Sequence, residues 1–156
     1  MEFRPLSACA PLLDELARHH VAAFGPLLPQ WTCAQARQEL AQPAIDGMPQ
    51  TWLAFEGGQW LGSVSLLHED HAQLPQYSPW LASLYVREQG RGRGVGAALI
   101  RHCVAQAAQR GFERLYLYCA PALQPYYQRQ GWQLQQVLLL GPMTVVVLYV
   151  VPHDYL

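Results

Sequence analysis

Apolar positions in the first quarter of the chain recur with a helical period. A short extended start at residues 3–6 is followed by Leu13, Leu16, Ala17 and Phe24 at helical spacing. This predicts a helix over residues 11–24, those side chains inward, ended by Pro26 and Pro29. A second helix is expected over residues 32–42, with Thr32 as cap and Pro43 as stop. The period then shortens. Segments 51–56 and 59–67, rich in Trp, Val and Leu, read as strands joined by Gly57-Gly58. That pair is a hairpin signal, because both central positions of a type I′ turn need positive φ. Residues 68–79 form a polar loop, and the nearly continuous apolar run 80–86 predicts a central strand covered on both faces.

Residues 90–96 then hold four of the twelve glycines. After them Val95, Leu99, Cys103 and Ala107 recur every four residues, an amphipathic helix over 95–110 closed by Gly111. A strand at 114–119, a short helix at 125–130 before Gly131, and strands at 132–140 and 143–151 around a Gly-Pro turn complete the series. Strand 80–86, helix 95–110 and strand 114–119 form a βαβ unit, expected to be parallel and right-handed. With antiparallel hairpins around it, the expectation is a mixed, three-layer α/β architecture. Neither linker nor repeat is visible, so residues 1–156 are expected to form a single domain.

Composition narrows the function classes. With 51% hydrophobic and 13% charged residues, disorder is excluded. A net charge of −1 gives no handle for nucleic acid. All ten basic residues are Arg, so any cationic contact is a forked, always-charged group. The start Met1-Glu2-Phe3-Arg4-Pro5 lacks the basic-then-apolar pattern of a signal peptide. The apolar run 137–151 is interrupted by Gly141-Pro142 and is shorter than the ~20 residues of a bilayer span, so no membrane partner is expected. Four scattered cysteines without a CxxC read as reduced thiols in a cytoplasmic protein, Cys103 and Cys119 buried and inert. His19, His20 and His102 are expected at the surface or an interface.

The chemistry concentrates in Arg91-Gly92-Arg93-Gly94-Val95-Gly96, between a strand and a helix. Alternate glycines let backbone amides face a ligand above a helix N-terminus, where the dipole favours anions, with Arg87, Arg91 and Arg93 nearby. A Walker A loop is excluded, because it needs a Lys. A dinucleotide fingerprint is nominally met by Gly92, Gly94 and Ala97, but Glu113 precedes the strand that its acid should end. That disfavours a nucleotide-dependent oxidoreductase. The third reading is an acyl-coenzyme A site.

The stretch from Val86 to Leu99 resembles the central motif of GNAT family N-acetyltransferases, with Arg91, Gly94 and Gly96 at the motif's Arg/Gln, Gly and Gly/Ala positions. Glu88 stands where Pro is common and Gly90 where an aromatic is frequent. Tyr126-Tyr127 followed by Gly131-Trp132 resembles the family's late helix, while Ala120 stands where the family often has Asn. The resemblance implies the acyl-CoA N-acyltransferase fold: a mostly antiparallel sheet with a splayed parallel pair and helices on both faces.

It also implies acetyl-CoA as donor, its pyrophosphate held by Arg91, Gly92, Arg93, Gly94, Val95, Gly96 and Ala97. Backbone groups of Leu84, Tyr85 and Val86 would pair with the pantetheine arm, and one could polarise the thioester carbonyl. Tyr127 would sit near the sulfur and protonate or hydrogen-bond the leaving thiolate, with Tyr126 in the core. Transfer would go directly to a primary amine of a small molecule or peptide through a ternary complex. For the base, His68, Glu69, Asp70 and His71 form a polar cluster, of which Glu69 is the leading candidate, direct or through water. A metal reading of that cluster lacks further ligands. Ser83 and Tyr85 are further candidates to line the pocket, and loops 25–35 and 68–79, with Trp31 and Tyr77, its rim. A monomer or homodimer is expected, the strand at 145–151 being either internal or paired with a second subunit. The competing class is a non-catalytic acyl-CoA sensor of the same fold, which Ala120 permits and Tyr127 opposes.

Overall fold

The computed structural model describes residues 1–27 and 30–155. Its strands are β1 (Glu2–Pro5), β2 (Gln50–Glu56), β3 (Gln59–Leu67), β4 (Trp80–Val86), β5 (Leu115–Cys119), β6 (Gln133–Leu140) and β7 (Met143–Val150). The helices are α1 (Leu13–Phe24), α2 (Cys33–Leu40), α3 (Val95–Gln109) and α4 (Gln124–Arg129). The sheet order is β1-β2-β3-β4-β5-β7-β6. β1–β2, β5–β7 and β6–β7 pair antiparallel, and β4–β5 is the parallel pair of the expected βαβ unit. The expected mixed sheet with a parallel pair is therefore observed. Helix α1 starts two residues later than the periodicity suggests, because Pro11 sits in a 3₁₀ turn. Pro29, expected to help end α1, lies outside the described residues.

By its contacts the chain forms two compact units, residues 1–65 with 83–99 and residues 66–82 with 100–156. In the first, Leu6, Cys9, Leu16, Leu53, Phe55 and Trp60 form a core cluster, with Tyr85 packed against it. β2 and β3 are buried at successive positions, which requires cover on both faces. Gly57 and Gly58 both have positive φ, as their hairpin turn demands. α2 opens with a capping box in which Thr32 Oγ1 accepts from the Gln35 amide while Gln35 Oε1 accepts from the Thr32 amide. The face of α1 carried by Leu16 and Ala17 also buries His20, only 1% exposed. This corrects the surface expectation. His20 Nε2 lies 2.8 Å from Ser63 Oγ, which removes the main cost of burying an imidazole. The neighbouring hydroxyls of Thr51 and Ser65 share a bond of 2.7 Å.

In the second unit Leu74, Trp80 and Val147 form a cluster edged by Tyr77, Tyr116, Tyr118 and Leu138. β7 is internal, between β5 and β6, which settles the alternative left open for residues 145–151. β6 is one of the two edge strands and carries Val137 and Leu139 at 54% and 68% exposure. Its register slips between Leu134 and Gln136. Cys9, Cys103 and Cys119 are buried thiols and Cys33 is exposed. His102 is half-buried. Among the described residues no helix is long and apolar enough to cross a membrane.

Candidate active site

The expectation that β4 is covered on both faces holds for its first three residues. Trp80, Leu81 and Ala82 are buried, whereas residues 83–86 are half-exposed. The change falls at Ser83, whose φ of 52° is left-handed and breaks the pleat. β4 pairs with β5 at Trp80↔Tyr116, ahead of that break. Leu84, Tyr85 and Val86 follow it. On their other side, Gly62 of β3 approaches so closely that a Cβ there would meet the Tyr85 carbonyl oxygen at 2.5 Å.

β4 runs into a 3₁₀ turn at Glu88–Gly90, closed by the Gly90 amide donating to the Arg87 carbonyl at 2.9 Å. Gly90 is a packing glycine, since a Cβ would lie 3.1 Å from Leu61 Cβ. Gly92 and Gly94 are different. Their φ values are 72° and 76°, and an added Cβ at either would meet nothing within 4 Å. Here glycine serves the backbone shape and leaves the space above it open. Ala98 N–H donates to Gly94 O at 3.0 Å, so the amides of Val95, Gly96 and Ala97 belong to the first turn of α3, which has no intrahelical acceptors. The loop and the half-exposed part of β4 belong to the same unit, which holds all ten predicted donor-binding residues.

The three arginines divide. Arg87 lies over the Trp60 ring at 4.4 Å and donates to the Trp60 carbonyl at 3.1 Å, which ties it to β3. Arg91 Nε donates to Val86 O at 3.3 Å, and Arg93 pairs with Glu56 at 2.7 Å, both exposed. Glu56 was not visible as a partner in the sequence, 37 residues away.

Tyr127, on α4 in the second unit, is 8% exposed, with Tyr126 and Trp132 ring centroids at 5.1 and 6.3 Å. Burial, then the neighbouring Cys119 and Tyr126, push its phenol above the usual tyrosine range, so it stays protonated. Tyr126 is only half-buried, which corrects its assignment to the core. Tyr127 is the helix's buried aromatic because its face meets Trp132, whose amide donates to Tyr127 O at 3.2 Å. Burial pushes Cys119 up to about 11, consistent with an inert thiol.

In the 68–79 segment Glu69 and His68 are exposed, while Asp70 and His71 are half-buried. The His71 ring stands 6.0 Å from Tyr118, whose phenol is pushed up by burial and then by Asp70. Among the described residues no group of three or more His, Cys, Asp or Glu could hold a metal ion.

Sequence reasoning also missed an arrangement in the first unit. His19 Nδ1 lies 2.8 Å from the Tyr85 hydroxyl, and its Nε2 lies 3.9 Å from Glu15 Oε1. The Trp60 ring meets the imidazole edge-on at 5.0 Å. Burial first, then Arg87, lowers the His19 pKa against the opposing pull of Glu15. The His19–Glu15 helical spacing was legible in the sequence. Tyr85, 66 residues away, was not.

A family model for acetyltransferases of the GNAT family matches residues 13–132. No curated protein matches the chain. Among solved structures, an aminoglycoside 6′-N-acetyltransferase complexed with coenzyme A superposes with a TM-score of 0.75 at 15% identity, covering 97% of both chains. Ribosomal-protein-alanine N-acetyltransferase from Brucella melitensis superposes at 0.77 with 20% identity, covering 97% of this chain and 99% of that one. An aminoglycoside 6′-N-acetyltransferase from Enterococcus faecium gives 0.73 at 13% identity, covering 97% of both. At such identities the likeness shows the fold.

Proposed function

Because the chain belongs to the acetyltransferase (GNAT) family, we propose that it transfers an acetyl group from acetyl-CoA directly to a primary amine of a small molecule or peptide. The observation that carries this reading is the open backbone at Gly92 and Gly94, set against the first-turn amides of α3, which have no acceptor within the helix. Such amides suit a pyrophosphate, which gains both hydrogen bonds and the helix dipole. The residues of this cradle are Arg91, Gly92, Arg93, Gly94, Val95, Gly96 and Ala97. The exposed guanidinium of Arg91 adds charge, while that of Arg93 is shared with Glu56. Leu84, Tyr85 and Val86 offer backbone groups to the pantetheine arm as an added strand would use them.

Tyr127 keeps its proton in the resting protein and offers it to the thiolate, by hydrogen bond or by transfer, as the carbon–sulfur bond breaks. No acyl-enzyme is required, so no cysteine acts as nucleophile, in keeping with the raised pKa values of the buried Cys103 and Cys119. The two kinds of neighbour named for N-acetylation, of aminoglycosides and of a ribosomal-protein alanine, support a nitrogen acceptor.

Thermal shift with acetyl-CoA and with NAD tests the donor. A larger shift with NAD overturns the reading. Free-thiol release with kanamycin, spermidine and an alanine-terminated hexapeptide tests turnover. Stabilisation by acetyl-CoA without thiol release identifies the acyl-CoA sensor instead.

A further inference from the structure

Resting on the acetyl-transfer reading, we propose that Tyr85, backed by His19 and Glu15, is the base that strips the acceptor amine of its proton. Tyr85 follows the Ser83 break on the half-exposed part of β4, and its ring is turned toward α1. The ring packs beside His20, Phe24 and Trp60, and its hydroxyl lies 2.8 Å from a titratable nitrogen. The opposite nitrogen of that ring faces a carboxylate, Glu15, at 3.9 Å. The sequence of groups is therefore hydroxyl, imidazole, carboxylate, the order in which a proton can be passed and its charge then stabilised.

The surroundings tune the imidazole from every side. From β3, Trp60 covers it edge-on, and from beyond β4, Arg87 opposes a positive charge. Arg87 is itself held 3.8 Å from Glu15 and over Trp60. On α1, Glu15 favours the imidazolium and Arg18 opposes it, while the adjacent His20 is itself neutral, its pKa held down at about 4. Burial and Arg87 keep the resting ring neutral, so it has a lone pair to offer. Glu15 makes the imidazolium reachable. His19 keeps 30% of its side chain exposed, which gives the collected proton a way to solvent.

The balance of protons is complete. An ammonium acceptor loses one N–H proton to the Tyr85 oxygen as the Tyr85 O–H proton moves to His19 Nδ1. The neutral amine then forms the new carbon–nitrogen bond while the carbon–sulfur bond breaks. The second nitrogen proton leaves to water as Tyr127, in the acetyl-transfer reading, protonates the thiolate, and the Tyr127 oxygen regains a proton from water. The first leaves His19 for water. The net products are amide, free thiol and one released proton. Tyr85 touches the acceptor and is the catalytic group, whereas His19 and Glu15 act through it.

Two measurements decide the matter. In the ligand-free protein, nitrogen-15 NMR of the imidazoles should find His19 neutral with its proton on Nε2, and Tyr85→Phe should disturb that tautomer. A neutral His19 protonated on Nδ1 overturns the proposal, because it has no lone pair for Tyr85. The second is the pH profile of kcat/KM, with whichever panel amine releases thiol fastest. Tyr85→Phe and His19→Gln should each lose about 100-fold at pH 7, and the deficit should shrink as pH rises and the amine deprotonates unaided. Their affinity for acetyl-CoA should stay within about twofold of wild type, as expected of groups acting on the acceptor. A deficit equal at every pH, or a wild-type profile in both variants, overturns the proposal. So does Glu69→Gln showing this signature in their place. If the wild type binds acetyl-CoA and releases no thiol with any amine, it is the acetyl-transfer reading that fails, and the imidazole spectra still report on the His19–Tyr85 pairing.

Discussion

Tyr126 and Tyr127 are adjacent on one short helix, and the difference in their burial sets what each can do. Tyr127 is shielded and keeps its proton. Tyr127→Phe keeps the ring's contacts with Trp132 and removes only the donor. It should lower kcat by roughly 10²-fold with little change in acetyl-CoA affinity, read by steady-state kinetics and calorimetry. An unchanged kcat would leave the phenol a packing role alone. His20 makes a prediction about stability. Its folded pKa is lowered from 6.5 to about 4 by burial, then by His19, so the unfolded chain takes up a proton that the folded one refuses. Stability from this group is complete above the unfolded value and is lost as pH falls from 6.5 toward 4. The loss should reach about 3 kcal/mol, read as the difference between wild type and His20→Gln in denaturant titrations at pH 7 and pH 4. That His20 is buried was half-legible in the sequence. It stands four residues after Leu16 and three after Ala17, on the inward face. Its polarity argued for solvent, and the hydroxyl that satisfies it, Ser63, lies on a distant strand.

Elements were easier to read than contacts, for a physical reason. Helical and strand periods, caps and glycine turns are local, so α2 with its Thr32 cap and the Gly57-Gly58 hairpin followed from neighbouring residues. The break in β4 did not, because nothing in Ala82-Ser83-Leu84 announces a left-handed serine. The glycines of the 90–96 loop were visible as a cluster but not as separate roles. Only the structure divides Gly90, held against Leu61, from Gly92 and Gly94, held by their φ. Gly94→Val should therefore cost roughly 1–3 kcal/mol of backbone strain. It should also reduce acetyl-CoA affinity at least about tenfold by displacing the first-turn amides, measured by calorimetry. Gly62→Ala is a different test, because its Cβ would clash with a backbone atom of β4. A fall of about 1–3 kcal/mol in unfolding free energy is expected, with β4 forced to move. A neutral Gly62→Ala would contradict the close approach.

Across the whole molecule the charge is nearly balanced, and the apolar surface is uneven. The edge strand β6 shows Val137 and Leu139 to solvent beside unpaired backbone groups, and no lysine guards it anywhere in the chain. Leu139→Lys should leave unfolding free energy within about 0.5 kcal/mol of wild type while raising the concentration at which the protein stays dispersed, read by light scattering. Unchanged scattering would acquit the strand. The thiols carry a practical consequence. Cys33 is exposed, whereas Cys9, Cys103 and Cys119 are enclosed. A maleimide dye should thus attach to the native protein at a single place, the first turn of α2, and to all four places once the chain is denatured. The rate at which the other three become reactive is a built-in clock for how often the interior opens.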